Sequence, residues 1–339
     1  MSRLAGAIGL TVLLAVGPLG AQVPARFTAA AQALEALTRQ DHAVGAALAY
    51  VQQGRVVAHR ELGQQDQAMH LALGPEAIFH WASITKTLTA VAVLQLRDRG
   101  RLSLDDPITR WVPELRQLHD PFGSMDAITL RMLLSHSSGL QDPTWPYRRY
   151  LAWEPFEPTR WEQLVAMMPY QELAFAPGSR YGYSNPAFIY LARVIEAVTG
   201  DPYQSYIYKN IWLPLGMRRS YFGVTPWHLA PWRSHNYSVV ADSAGAVSVR
   251  DNGPDFDPGV TIPNGGWNAP IEDLATWLGF LTGAAPGDSG AARRYDGVLS
   301  RLSLREMWQP VVSAGDQPGG PATMGLGFFL LGPEPGKLV

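Results

Sequence analysis

The alternation of apolar and polar residues near the N-terminus predicts a helix followed by a β-hairpin. From about Pro24 to Gln40 the apolar residues recur at helical spacing. Two strand-like runs follow, Val44 to Val51 and Val56 to Leu62, and they flank Gln53-Gly54, a two-residue turn signal. The pattern therefore predicts an antiparallel pair of strands next to the N-terminal helix.

The next strong pattern runs from Ile84 to Leu96 and is apolar on nearly every side. A helix of this kind lies inside a fold rather than on its surface. Residues 218–264, which are rich in Gly, Pro, Ser and Asp, predict an irregular excursion. Helical spacing recurs at 129–134, 159–168, 185–198, 203–212 and 270–281, and a strand pattern follows at 325–331. This order predicts an α/β layer whose two parts are separated by a helical insertion.

Length and composition exclude several classes of protein. At 339 residues, with 47% hydrophobic and 17% charged, the chain is one large composite domain or two domains, and it is globular. Its 27 Lys and Arg against 29 Asp and Glu give a formal charge of −2, without a run of like charges, so we expect no nucleic-acid partner. Because it has no cysteine and no tight spacing of histidines, we expect no metal site and no cofactor. A small-molecule or peptide partner is expected instead.

The first residues have the pattern of a signal peptide. Arg3 precedes an apolar stretch from Leu4 to Val16, and small and turn-forming residues follow as far as Ala21. We therefore predict a signal peptide at 1–21 and export to the periplasm or the medium, with an uncleaved N-terminal anchor as the alternative. The stretch is too short to cross a bilayer and no later segment is longer, so no membrane-spanning body is predicted.

Two side chains at the beginning of the predicted buried helix suggest nucleophilic catalysis. Ser83 and Lys86 stand three residues apart, so they share a helix face and can meet. A serine hydroxyl needs a base, and a lysine amine can serve as one when burial lowers its pKa. Lysine occurs at only two other positions, Lys209 and Lys337, and arginine could not take up the proton. Alone, the pair is also compatible with an exposed serine beside a lysine that extends into water.

A second motif lies where a turn leads into the helix predicted at 185–198. It reads Tyr183-Ser184-Asn185, and the pairing of S-x-x-K with Y-x-N resembles the serine β-lactamase and penicillin-binding-protein superfamily, in particular its branch of class C β-lactamases, D-peptidases and esterases. Further segments resemble motifs of that branch and follow in its order: 133–140 with the sequence LLSHSSGL, 214–217 with PLGM, and the glycine pair 265–266 ahead of 273–274.

The resemblance implies a role for each of four residues. Ser83 would attack an acyl carbon, Lys86 would help to remove its proton, and Tyr183 would act as the shared base and acid that passes the proton to the leaving group. Asn185 would hydrogen-bond a carbonyl or amide of the bound substrate. The backbone N–H of Ser83 would supply one half of an oxyanion hole, since it lies at a helix N-terminus.

The resemblance also implies a β-lactamase-like α/β fold, in which an antiparallel sheet flanked by helices adjoins an all-helical domain. We predict an α/β domain formed by 22–80 and 255–339, and a helical domain at 81–254 that leads into the excursion at 218–264.

The third motif of the superfamily is missing from the sequence. Its members carry Lys-Thr-Gly, or His-x-Gly, on a strand beside the nucleophile, and no such tripeptide follows 325–331. The segment 336–339 resembles the beginning of that strand, so Lys337 is not predicted to be the lysine of the motif. Either the sequence is truncated or the chain is a degenerate member. We expect a fragment that lacks the C-terminal strands and is poorly active and poorly stable by itself.

The function predicted from the sequence is that of an exported serine hydrolase. It would form an acyl-enzyme on Ser83 with a small-molecule ester or a D-amino-acid amide or peptide, and β-lactams rank behind these substrates. The alternatives are a catalytically silent binding module with the same fold, and an inactive fragment.

Overall fold

The computed structural model describes residues 25–140, 158–255, 258–283, 289–317 and 320–331. The predicted signal peptide at 1–21 and Lys337 lie outside these ranges.

Helices make up most of the regular structure in the described residues. They are α1 (Ala25–Gln40), α2 (Thr85–Asp98), α3 (Leu130–Leu134), α4 (Trp161–Met167), α5 (Asn185–Thr199), α6 (Tyr203–Ile207), α7 (Leu213–Leu215), α8 (Ile262–Gly265), α9 (Ile271–Thr282), α10 (Ser289–Val298) and α11 (Arg301–Met307). None of the helices in the described ranges is long and apolar enough to cross a membrane.

The strands form four small antiparallel sheets. They are β1 (Gly45–Gln52), β2 (Arg55–Asp66), β3 (Leu71–Ala72), β4 (Ile78–His80), β5 (Tyr221–Phe222), β6 (Tyr237–Ala241), β7 (Val247–Asp251), β8 (Trp267–Pro270), β9 (Val312–Gln317), β10 (Gly320–Met324) and β11 (Phe329–Leu331). The strand orders are β1-β2-β3, β4-β8-β5, β6-β7 and β11-β10-β9. In the second sheet β8 pairs with β4, and His80 lies opposite Asn268. His80 is the last residue of β4, and Ser83 follows three residues later.

Helix α2 lies at the centre of the hydrophobic core. Its residues from Leu88 to Leu94 are completely buried, as the all-round apolar pattern predicts. It packs against α5, α6, α8 and α11. Trp267 on β8 and Trp277 on α9 are among the largest side chains in the same core. The segment that carries the predicted catalytic pair is therefore enclosed by helices from distant parts of the chain.

The N-terminal helix and hairpin are found where the sequence predicts them. β1 and β2 pair around the turn at Gln53-Gly54, where both residues have positive φ. Neither α1 nor β1 contains a fully buried residue. β1 pairs with β2 along one edge, and no strand of the described ranges pairs with its other edge. The prediction that further strands join this sheet stays a prediction.

The structure corrects three details of the predicted elements. The excursion at 218–264 is less irregular than predicted, since it contains β5, α8 and the β6–β7 hairpin. The segment 325–331 is a strand only over Phe329–Leu331, because Gly325 donates to the carbonyl of Phe328 and Gly327 has a φ of 83°, which closes a turn. The sequence analysis does not predict helices α10 and α11 or the β9–β10 hairpin.

Candidate active site

The turn that carries Ser83 is fixed to β8. After β4 ends at His80, the backbone N–H of Trp81 donates to the carbonyl of Trp267 at 2.8 Å. The indole Nε1 of Trp81 donates to the carbonyl of Ala269 at 2.9 Å. These two bonds, to residues two apart on one buried strand, leave the turn little freedom to move.

Ala82 adopts a backbone conformation that is unfavourable for residues other than glycine. Its φ is 44°, in the left-handed region that costs a non-glycine residue about 1–2 kcal/mol. Thr85 holds this turn, because its Oγ1 donates to the carbonyl of Ala82 at 2.6 Å and accepts from the N–H of Trp267 at 3.0 Å. Ser83 is therefore exposed on a 3₁₀ turn (82–84) directly before α2, rather than within the first turn of the helix itself.

Lys86 brings the parts of the site together. Its side chain is buried, with 4% exposure, and Nζ lies within hydrogen-bond distance of three oxygens of neutral groups. These are Ser83 Oγ at 3.1 Å, Asn185 Oδ1 at 2.7 Å and the backbone carbonyl of Asn264 at 2.8 Å. Nζ also lies 4.9 Å from the centre of the Tyr183 ring. The lysine is thus buried, as a catalytic base must be, and does not extend into water.

Tyr183 approaches Ser83 from the loop before α5. Its hydroxyl donates to Ser83 Oγ at 2.9 Å. Ser184 is the N-cap of α5, since its Oγ accepts from the N–H of Ala187, and Pro186 follows in the first turn, where proline is favoured. The sequence Tyr-Ser-Asn-Pro therefore begins a helix and turns the tyrosine toward the nucleophile.

The neighbouring Tyr181 is not suited to proton transfer. Burial and the adjacent Tyr183 raise the pKa of Tyr181 to about 12. Its ring packs edge-on against Phe329 and His136. Tyr183, which the sequence analysis predicts as the proton-transfer residue, is the tyrosine that contacts Ser83.

The structure brings together all four residues predicted from the sequence. Asn185 is predicted to bind substrate, and in the structure its Oδ1 accepts from Lys86 Nζ and, at 3.2 Å, from Nδ2 of Asn264. Its predicted contact with substrate stays a prediction. Asn264 was missed, because any residue type can offer a backbone carbonyl and so no sequence signal marks this one.

The oxyanion hole stays a prediction, and the structure gives the position of one of its two predicted donors. The N–H of Ser83 lies at the N-terminal end of α2, where partial positive charge collects. The described ranges contain no Lys-Thr-Gly or His-x-Gly strand that would supply the second donor.

A separate cluster has donor types that suit a metal ion. Asp66, His235 and Asp251 place their ligand atoms within 4.8 Å of one another. The two ring nitrogens of His235 already face different carboxylates, at 3.4 Å for Asp66 and 2.8 Å for Asp251.

Known proteins of similar sequence or structure include an esterase, an amidohydrolase and a penicillin-binding protein homologue. The chain is 35% identical over 191 residues to esterase EstB of Burkholderia gladioli, covering 53% of the chain and 47% of EstB. The octameric penicillin-binding protein homologue of Pyrococcus abyssi superposes with a TM-score of 0.71 at 26% identity, covering 89% of the chain and 65% of the homologue. A D-stereospecific amidohydrolase of a Streptomyces species gives 0.67 at 28% identity, covering 90% and 83%.

These likenesses confirm the β-lactamase-like α/β fold that the motifs imply. The chain spans about half the length of the curated relatives it matches. The sequence profile described as Beta-lactamase matches residues 30–337, which is most of the chain. The chain therefore belongs to the Beta-lactamase family.

Proposed function

We propose that this chain acts as an exported serine hydrolase, which cleaves an ester or a D-amino-acid amide through an acyl-enzyme on Ser83. The observation that carries the proposal is the approach of two proton-transfer groups to one exposed hydroxyl. Lys86 Nζ lies 3.1 Å and Tyr183 Oη 2.9 Å from Ser83 Oγ. Such a pair within hydrogen-bond reach of a hydroxyl is the arrangement that activates a nucleophile.

The contacts of Lys86 support its role as base. The loss of water around the amine favours the uncharged form, which has two N–H bonds and one lone pair. The two shorter contacts, to Asn185 Oδ1 and the Asn264 carbonyl, engage two N–H bonds. The lone pair of the neutral amine then points along the third contact toward Ser83 Oγ, and it can accept the serine proton.

Tyr183 is placed to complete the proton path. As the bond forms between Ser83 Oγ and the acyl carbon, the serine proton moves to Lys86 Nζ. When the bond to the leaving oxygen or nitrogen breaks, Tyr183 delivers a proton to that atom and recovers one from the protonated lysine. Attack of water on the acyl-enzyme, with the proton path reversed, releases the carboxylic acid and restores Ser83.

The relatives guide the substrate class. EstB is named an esterase and is 35% identical over the aligned residues, whereas the Streptomyces amidohydrolase is 28% identical. We therefore place esters first and D-amino-acid amides second, with β-lactams behind both. Residues 1–21 support export, since they have the charge and apolar pattern of a signal peptide.

A fluorescent phosphonate separates an enzyme from a silent binding module. The full chain should carry a covalent label that is absent from Ser83→Ala, while both proteins melt at the same temperature. The unlabelled chain should hydrolyse a p-nitrophenyl ester faster than a D-amino-acid p-nitroanilide, and the phosphonate should abolish both activities. A folded chain that takes no label would contradict the proposed enzyme and favour a silent module or an inactive fragment, and a label kept in Ser83→Ala would contradict the choice of nucleophile.

Lys86→Arg should lower the acylation rate by about 10²–10⁴-fold, because arginine keeps the positive charge but cannot act as a base. The measurement is the pre-steady-state rate of ester acylation, with the melting temperature of each variant. Lys209→Arg is the matched control: that lysine is exposed and bonded to Asp201 at 2.9 Å, and its variant should acylate normally. A Lys86→Arg rate above about a tenth of the wild-type rate would contradict the assignment.

Tyr183→Phe removes one hydroxyl from the site and little volume. Unfolding free energy should change by no more than about 1–2 kcal/mol, whereas turnover should fall by at least about 10²-fold. Tyr181→Phe makes the same change two residues earlier and should leave turnover intact. If the Tyr183→Phe variant melted at a much lower temperature but hydrolysed substrate at the normal rate, the hydroxyl of Tyr183 would have a structural role.

We predict that the small size of Gly265 allows the site to accept long acyl groups. It follows the Asn264 carbonyl that binds Lys86, and a Cβ there would have only the carbonyl carbon of Ala82 within 4 Å, at 3.9 Å. Gly265→Leu should therefore fold normally and lower kcat/KM for long-chain esters at least about tenfold more than for acetyl esters.

Gly266→Ala is the contrasting control for this prediction. Its Cβ would lie 2.9 Å from Cα of Ile262, so it should destabilise the fold by about 1–3 kcal/mol without discriminating between acyl lengths. An equal loss for short and long esters in Gly265→Leu would show that this side of the site does not receive the acyl chain.

A further inference from the structure

His136 occupies an unusual backbone position close to Tyr183. It follows α3 in the loop Ser135–Ser138, whose four residues are all buried, and its own exposure is 1%. Its φ is 54°, in the region where only glycine is free of strain, although histidine tolerates it better than most residues. Glycine would suit the backbone better, so the imidazole ring must do something that glycine cannot.

The ring and the backbone of His136 contact three consecutive residues of the Tyr183 loop. The carbonyl of His136 accepts from the N–H of Gly182 at 2.8 Å. Its ring stacks on that of Tyr183, with centroids 4.6 Å apart and 24° between the planes. Its Nδ1 accepts from the N–H of Ser184 at 3.0 Å. The tyrosine is therefore held through its ring and through the residues on both sides of it.

These contacts require a neutral imidazole. Because Nδ1 accepts a hydrogen bond, the ring proton is on Nε2, and a second proton would remove the acceptor for Ser184. Burial lowers the pKa of His136 to about 3. The ring thus remains uncharged over the range in which an esterase would be assayed. Among the hydrogen bonds of the described residues, His136 makes none to Ser83.

We infer that His136 is a positioning residue, which holds the Tyr183 hydroxyl at Ser83 without exchanging a proton itself. The inference rests on the proposed function, since it concerns the same site. It assigns to the LLSHSSGL segment a task in catalysis: α3 and its loop fix the angle at which the phenol reaches the nucleophile.

The experiment is a double-mutant cycle on the full chain. His136→Gly and His136→Asn both tolerate a positive φ, and each is made with Tyr183 intact and with Tyr183→Phe. In the first background, acylation of a chromogenic ester should fall by about 10²-fold for His136→Gly, the usual effect of misplacing a catalytic group by about 1 Å. His136→Asn, whose Oδ1 can accept from Ser184, should recover part of that loss.

In the Tyr183→Phe background, the same substitutions should change acylation by no more than about twofold, because their effect passes through the missing hydroxyl. An equal loss in both backgrounds would overturn the inference, since a general loss of structure lowers both rates. If Tyr183→Phe alone acylated at the wild-type rate, the proton-transfer role of Tyr183 would fail, and the role of His136 with it. If the protein with both residues intact formed no acyl-enzyme, the proposed function itself would fail.

A second measurement does not depend on turnover. The near-ultraviolet tyrosinate absorbance of each protein, minus that of its Tyr183→Phe partner, isolates the ionisation of Tyr183. Its midpoint should shift in His136→Gly, because without the stacked imidazole the phenol changes its position relative to Lys86 Nζ, which lies 4.9 Å from the ring centre. An unchanged midpoint with an intact melting temperature would show that His136 does not position the ring.

Discussion

The buried amine of Lys86 is the constraint on which the rest of the site depends. Burying an amine without hydrogen bonds is costly in any protonation state, so it needs oxygens in fixed directions. The chain supplies them from three segments: the turn before α2 with Ser83, the beginning of α5 with Asn185, and α8 with Asn264. These segments pack against one another in the core. The fold and the catalytic geometry therefore stabilise each other, and neither can change alone.

Two residues near this point have strained backbones, and the surrounding contacts explain how each is maintained. Ala82, with a φ of 44°, is fixed between Trp81 and Thr85, and both of these bond to β8. His136, with a φ of 54°, is fixed by its bonds to the Tyr183 loop. Strain of this kind persists only where neighbouring contacts over-determine the conformation. In both places the result is the direction of a hydroxyl of the candidate site, that of Ser83 in one case and that of Tyr183 in the other.

The sequence predicts those parts of the site that local spacing or side-chain chemistry determines. Ser83 and Lys86 follow from their spacing on one helix, because a separation of three residues brings side chains together. Tyr183 and Asn185 lie far along the chain, and only the resemblance of motifs connected them with Ser83. The acceptor at Asn264 and the turn at Ala82 could not be predicted, since a backbone carbonyl carries no residue signature and a left-handed alanine contradicts local preference. The β6–β7 hairpin was missed for a related reason: its residues are largely exposed, so no apolar alternation marks it.

The spacing of Tyr181-Gly182-Tyr183 has a physical explanation in the same contacts. Both tyrosine rings contact the ring of His136, at 6.1 Å and 4.6 Å between centroids. A Cβ on Gly182, the residue between them, would lie 2.6 Å from the buried ring of Phe175. A larger residue at 182 would push the segment away from Phe175 and toward His136. It would therefore move the Tyr183 hydroxyl relative to Ser83, although residue 182 contacts neither. The glycine fixes the distance between the loop and the core, and the imidazole fixes the angle of the phenol.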